Sequence, residues 1–375
     1  MPKPLVIGVD IQDLRVAMTG TKTYLEELCQ QFKKIESDEL KFHFFDSPQL
    51  LILGKNKFYK ILSHLSFHLW KQVILPYKTW KNGCDILFCT DNFVPLIKFK
   101  FKTIPVFHDA FFFEDPEHYN RLWVWLYRLT AIPAARRSAI IITPTNYAKK
   151  QIIKYTSFSE NKVISIPEGP KSLSLQPDKQ ADVLLTKFGL SSKKYMLHVG
   201  LMSKRKNLPA LIRAFKKLKD QSHDELKLVL VGKIDDKQHS NDFPIIKQTI
   251  IDCDLENEVI LTGYLNNSEL SIIYAHALMY VFPSTNEGFG IPILEAFYFK
   301  IPVLIANSSC LPEVGGDAVI SFDPYSDQDI YEKMKVLVSD PELQTRLINK
   351  GKHRLKEFSW EKTAKELVRI FKQIA

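Results

Sequence analysis

The chain has 375 residues, 45% of them apolar and 25% charged. One hydrophobic core stops growing at roughly 250–300 residues, so two domains are expected. Net charge is +9, no apolar run reaches the ~18–20 residues that span a bilayer, no leader with a small-residue cleavage site is read, and the five cysteines lack zinc or C-x-x-C spacing, so the expectation is a cytoplasmic protein with reduced thiols rather than a membrane-spanning or disulfide-framed secreted one.

In chain order, residues 5–9 read as a buried parallel strand, apolar without alternation, and a helix opens near Tyr24. Short apolar strands recur at 41–45, 85–89, 103–107 and 139–143, with helices over 121–137 and 145–155 between them. A Pro/Gly/Ser-rich break at 167–180 marks the linker, and the pattern then restarts at 195–199. A helix over 207–219 follows, with Asn207 as its N-cap, then strands at 226–231, 258–262, 278–282, 301–305 and 318–322. An amphipathic stretch over 353–374 closes the chain. Alternating strands and helices mean parallel sheets. The expected organisation is two doubly wound α/β domains, 1–175 and 176–355, facing across a cleft, with a terminal helix 356–375 that packs on either one.

In such sheets ligands bind beyond the carboxyl ends of strands. Two segments there suit an anion. In Glu287-Gly288-Phe289-Gly290-Ile291-Pro292-Ile293-Leu294-Glu295 a glycine loop runs into a helix whose free N–H groups and dipole favour phosphate, with a carboxylate at each end. By spacing alone the two glycines form either that loop or a plain turn with solvated glutamates. Gly200-Leu-Met-Ser-Lys-Arg205-Lys206-Asn207 offers a forked and a point cation. By itself it is equally a solvated basic loop.

Taken in order with Val229-Leu230-Val231-Gly232, Leu261-Thr262-Gly263-Tyr264, Val281-Phe282-Pro283-Ser284 and Pro312-Glu313-Val314, these segments resemble the donor domain of retaining GT-B glycosyltransferases of family 4, the group 1 type. The E-x7-E element of that family matches Glu287 and Glu295, and its R-K-N-L matches Arg205 to Leu208. The first half resembles the family through Phe107-His108-Asp109 and Thr143-Pro144-Thr145-Asn146. It departs at Met18-Thr19-Gly20-Thr21, which has one glycine where the family often has two, and at Pro167-Glu168-Gly169, where the family has P-N-G.

The resemblance implies a GT-B fold and a metal-independent, retaining hexosyltransferase using a nucleotide-diphosphate sugar and no cofactor. It implies that Arg205 and Lys206 stabilise the diphosphate, Glu287 binds the sugar, and Gly288, Phe289 and Gly290 lie near sugar and phosphate. Glu295 would hold the ribose. His108 and Asp109 would line the sugar pocket, Gly20 and Thr21 would face the phosphates, Gly200 belongs to the cationic loop, and Lys233 and Tyr264 would stand near the base. No Asp-x-Asp suits a metal–diphosphate bridge; Asp235-Asp236 reads as solvated.

Residues 41–102 carry 10 basic against 3 acidic side chains. Over 57–81, Phe58, Ile61, Leu62, Leu65, Leu69 and Val73 share a helical face, and Lys57, Lys60, Lys71, Lys78 and Lys81 stand among aromatics. This fits either an interfacial element on anionic lipid or a domain helix with a core face. The apolar residues of 121–137 (Leu122, Trp123, Trp125, Leu126, Leu129) invite the same two readings. Zinc-finger, RNP and helix-turn-helix signatures are missing, so nucleic acid is not the expected partner. A glycan or lipid-linked acceptor in surface polysaccharide or lipopolysaccharide assembly is. His108-Asp109-Ala110-Phe111-Phe112-Phe113 is similar to mannosyl- and rhamnosyltransferases. The alternatives are a nucleotide-sugar epimerase of the same fold and a non-catalytic nucleotide-sugar binder. A dehydrogenase would need the G-x-G-x-x-G that the first loop lacks.

Overall fold

The computed structural model describes residues 3–375 apart from 17–19, 48–56, 98, 115, 117–118, 120, 222–224 and 234–241. Asp235-Asp236 and the side chains of Lys57, Phe58, Lys60 and Ile61 lie outside the described residues. The chain divides into two compact units, Met1–Glu168 with Trp360–Ala375, and Gly169–Ser359.

In the first unit, β1 (Leu5–Asp10), β2 (Leu40–Phe45), β3 (Ile86–Cys89) and β4 (Lys102–Pro105) form a parallel sheet in the order β2-β1-β3-β4. Val106 bridges to Ile142 of β5 (Ile141–Thr143), which pairs with β6 (Val163–Ser165). The strands are apolar on both faces because both are covered. On one face Ile7, Val9, Ile86 and Phe88 pack on Tyr24, Leu28 and Phe32 of helix Gly20–Ile35. On the other, Val6, Leu87 and Cys89 meet Trp70, Leu75 and Ala134.

The stretch read as one amphipathic segment over 353–374 is two helices, Pro341–Leu355 and Trp360–Ile374, because residues 356–359 break the backbone pattern between them. The second helix belongs to the first unit. It buries Trp360, Ala364, Leu367, Ile370 and Phe371 against the same core, at about 1.5–3 kcal/mol for each large apolar side chain. The unit boundary falls after Glu168, and helix Asp178–Lys187 already begins inside the span read as linker.

Helix Lys57–Leu69 continues through a π-helical turn, Trp70–Ile74, into Leu75–Lys81. Its inward residues are Trp70, Lys71, Leu75 and Thr79. Leu65, Leu69 and Val73, which the sequence places on a candidate core face, point outward, as do Tyr77 and Trp80, all 45–60% exposed. Lys71 is buried and so is unavailable to a lipid head group. In helix Arg121–Arg137 the core face is Val124, Tyr127, Ala131, Ala134 and Ala135, while Leu122, Trp125 and Leu129 are exposed.

The second unit holds six parallel strands: β7 (Tyr195–Val199), β8 (Lys227–Val231), β9 (Val259–Gly263), β10 (Met279–Phe282), β11 (Val303–Ala306) and β12 (Val319–Phe322). Their order, β12-β11-β10-β7-β8-β9, reverses between β7 and β10. Neighbouring connections leave in opposite directions at such a switch point and open a crevice at the carboxyl ends, where ligands bind. All five cysteines are free.

Candidate donor-binding site

The two loops that flank the switch point carry the two anion-receptive segments. After β7 the chain makes a short turn, Lys204–Lys206, and enters helix Leu208–Lys219. Asn207 does not cap that helix as expected. It sits left-handed at φ 53°, and its Nδ2 donates to the Pro324 carbonyl at 2.7 Å. After β10 the loop leads to Gly290, whose φ of 103° is open to glycine, and then to helix Ile291–Tyr298 with Pro292 in its first turn. A Cβ at Gly290 would also lie 3.1 Å from Leu311 Cδ2. The loops are clipped together: Thr285 N donates to the Arg205 carbonyl at 2.8 Å, and Arg205 Nη1 donates to the Asn286 carbonyl at 3.3 Å.

Glu287 joins them. Its Oε2 lies 2.8 Å from Arg205 Nη1, and its Oε1 accepts from Lys206 Nζ. The carboxylate is buried, so it is not a solvated turn residue. Burial alone would raise its pKa, but Arg205 and Lys206 outweigh that and hold it down at about 2. Burial pushes the Lys206 ammonium down to about 8 against the pull of Glu287. The backbone N–H of Glu287 donates to Ser309 Oγ at 3.1 Å. Glu295 is also buried, and its Oε2 accepts from Tyr274 Oη at 2.7 Å. Burial raises its pKa, and Lys171 and the Tyr274 hydrogen bond oppose this.

Gly200, Lys233 and Tyr264 follow β7, β8 and β9, whose ends lie side by side: Gly200 N donates to the Val231 carbonyl at 2.9 Å and Gly232 N to the Gly263 carbonyl at 3.1 Å. A Cβ at Gly232 would fall 1.7 Å from the Gly200 carbonyl oxygen, so only glycine fits. Lys233 and Tyr264 are exposed. Gly288 and Phe289 stand in the loop before the helix. The structure thus brings Gly200, Arg205, Lys206, Lys233, Tyr264, Glu287 to Gly290 and Glu295 to one edge of one sheet.

His108, Asp109, Gly20 and Thr21 belong to the first unit. His108 Nε2 pairs with the Thr90 carbonyl at 2.9 Å, and its Nδ1 lies 3.4 Å from Glu168 Oε1. Burial works to lower the imidazole pKa, but Glu168 and the carbonyl prevail and raise it. Glu168, where the family has Asn, is therefore the partner of His108. Asp109 Oδ1 accepts from Phe111 N at 3.0 Å and fixes the turn there. Gly20, exposed, and Thr21 open helix Gly20–Ile35.

Sequence reasoning missed His198, Tyr274 and Ser309. His198 is buried beside Lys206; burial and that cation push it down to about 3, so it is neutral. Its Nδ1–H therefore donates to the Val281 carbonyl at 3.1 Å, and Nε2 has no hydrogen-bond partner among the described residues. Its position two residues before Gly200, in the strand that feeds the cationic loop, was the available signal.

Two cations and a buried carboxylate meet beside a helix amino end at the switch point, an arrangement that suits an anionic group. Residues 185–354 match the model of the family described as glycosyl transferases group 1. This chain carries a group 1 glycosyltransferase domain.

The chain is 26% identical over 273 residues to the O-antigen chain mannosyltransferase B of Escherichia coli, covering 72% of this chain and 70% of that protein. It is 27% identical over 278 residues to the E. coli serotype-specific mannosyltransferase WbdA, but spans only 33% of that longer protein. Among solved structures, its fold matches the sucrose-phosphate synthase of Thermosynechococcus elongatus with a TM-score of 0.76 at 15% identity, over 98% of each chain. It matches Anabaena HepE, in complex with UDP and glucose, with a TM-score of 0.73 at 16% identity, over 98% of this chain and 100% of that one. The fold class is GT-B, two Rossmann-like α/β units.

Proposed function

We propose that this glycosyltransferase moves a mannose-type hexose from a nucleoside-diphosphate sugar to a growing surface glycan, in polysaccharide or lipopolysaccharide assembly. The observation that carries the reading is Arg205 and Lys206 converging on Glu287 beside the amino end of helix Ile291–Tyr298. The likeness to O-antigen mannosyltransferases supports the sugar and the acceptor class.

In the proposed step the anomeric C–O bond to the diphosphate breaks and its electron pair stays on the diphosphate oxygen. Arg205, Lys206 and the positive amino end of helix Ile291–Tyr298 stabilise that charge, so no metal is required. An acceptor hydroxyl attacks the same face of the sugar, forms the new C–O bond and gives its proton to the departing diphosphate, so configuration is retained. Glu287 holds the sugar hydroxyls, Glu295 the ribose, and His108 a sugar hydroxyl. Melting the full chain with UDP-, GDP-, ADP- and dTDP-sugars tests the reading. One nucleotide should raise the melting temperature, by about 2.7 kcal/mol of stabilisation at a hundredfold excess over Kd, and none doing so overturns it. Product NMR then reads the anomeric configuration, and an assay in EDTA reads metal independence. Incubation with donor alone separates transfer from epimerisation.

The proposed location is cytoplasmic and peripheral on the membrane. No described helix is long and apolar enough to cross a bilayer. Leu65, Leu69, Val73, Tyr77 and Trp80 line one outward face of their helix, Trp80 stacks on exposed Phe99 at 5.5 Å, and Lys81, Lys100 and Lys102 are exposed. Both acids of 57–102 are paired, Asp85 with Lys3 and Asp91 with Lys71. An apolar stripe beside these exposed lysines fits an anionic lipid surface. Co-sedimentation with phosphatidylglycerol vesicles, lost in Leu69→Glu/Trp80→Glu and absent with phosphatidylcholine, is the expected result.

A further inference from the structure

The carboxyl edge of the first unit's sheet holds an ion cluster that the proposed function does not use. The π-helical turn Trp70–Ile74 lets two successive side chains reach one carboxylate: Trp70 Nε1 donates to Asp10 Oδ1 at 3.1 Å and Lys71 Nζ to Asp10 Oδ2 at 2.6 Å. Such turns are uncommon and recur at functional sites. Lys71 Nζ also donates to Asp91 Oδ1 at 2.6 Å. Asp10 ends β1 and Asp91 follows β3, so one ammonium pins two strand ends.

Asp10, Cys89 and Asp91 place their ligand atoms within 4.8 Å of one another, a spacing that suits a small cation. The Lys71 ammonium donates to two of the three, so it is a cation tethered to the fold. It is 2% exposed. Burial alone would discharge it, yet Asp10 and Asp91 keep it charged. Burial raises the Asp13 carboxyl above its ordinary pKa, with Lys71 and His108 opposing this and Asp10 adding to it.

A buried ion cluster of this kind is a poor way to gain stability, because neutral residues of similar volume do as well or better. What the cluster does supply is a fixed path to His108. Thr90, the residue before Asp91, gives the carbonyl that meets His108 Nε2 at 2.9 Å.

We propose that Lys71 is a positioning residue: by holding Asp91 and Asp10 it fixes the Thr90 carbonyl and, through it, the orientation of the His108 imidazole for sugar transfer. The proposal rests on the role given to His108 above.

The test uses the full chain, the nucleotide sugar selected by the melting panel, and three variants. Lys71→Met leaves two carboxylates unpaired and should lower the melting temperature. The neutral triple variant Lys71→Met/Asp10→Asn/Asp91→Asn should recover it, yet keep kcat down by about tenfold or more, the scale on which misplaced groups cost rate, with donor KM within about twofold of wild type. A triple variant with wild-type melting and wild-type kcat would show a purely structural cluster and overturn the proposal, as would a triple variant that does not fold. His108→Gln separates the two claims. If it retains full kcat, the role of His108 fails; if it loses kcat while the triple variant keeps it, only the role of Lys71 fails.

Discussion

The carboxyl edges of the two sheets are built alike and charged oppositely. In the second unit two cations share one carboxylate, and Arg205 keeps 26% of its side chain exposed. In the first, one cation is shared by two carboxylates, and Lys71 keeps 2%. On the proposed readings, a partly open site with cations in excess recruits an anion from solution, whereas a closed site with carboxylates in excess is satisfied by its own lysine and serves geometry. The same motif, charged groups at the ends of parallel strands, would then yield a receptor in one unit and a brace in the other, with the balance of signs and access to water deciding which.

The largest expected effect breaks the receptor. Lys206→Ala or Arg205→Ala should cost about 10²–10³ in kcat, as loss of a donor aimed at developing charge does elsewhere, measured with the selected nucleotide sugar. Next is the brace: Lys71→Met should lose about 3–5 kcal/mol of folding stability by denaturant titration, because it strands buried carboxylates. A smaller loss, of roughly 1 kcal/mol or more, is expected for Gly290→Ala, whose φ of 103° and 3.1 Å approach to Leu311 both resist a side chain.

The subtlest effect is with pH. Lys206 is lowered to about 8 in the fold, so nucleotide affinity should fall as pH rises through that value, and Lys206→Arg should remove the fall. The burial penalty on Lys206 is fully present below about 8 and relaxes as pH rises from there to its ordinary 10.5. Glu287 works in the other sense. Its pKa is depressed to about 2, so the stability it contributes is present above its ordinary 4.5 and is lost as pH falls from there through about 2.

Much of the second unit was legible in the sequence because its chemistry is local. Glu287 to Glu295 are contiguous, and a strand, a glycine loop and a proline-led helix turn follow from neighbouring residues. The partners of those groups were not legible. Tyr274 reaches Glu295 across 21 positions and Ser309 reaches Glu287 across 22, distances that only the tertiary fold closes. Asn207 shows the same limit: a good capping residue by type, it is drawn instead to the Pro324 carbonyl 117 positions away.

The first unit was harder to read. The apolar positions of 57–81 follow helical spacing on more than one face, and periodicity does not say which face the sheet takes. Trp70 and Leu75 won the inner side, Leu65, Leu69 and Val73 went outside, and Lys71 turned inward because two carboxylates await it. Ion pairs across 61 and 20 positions leave no local trace.

Calorimetric titration of UDP, GDP, ADP and dTDP into the full chain and into Arg205→Ala bears most directly on the receptor. Binding of one nucleoside diphosphate by the wild type, weakened about tenfold or more in the variant, is the predicted result, in line with the worth of a charge-assisted hydrogen bond. Equal affinity in both proteins, or heat from none of the four, would contradict it.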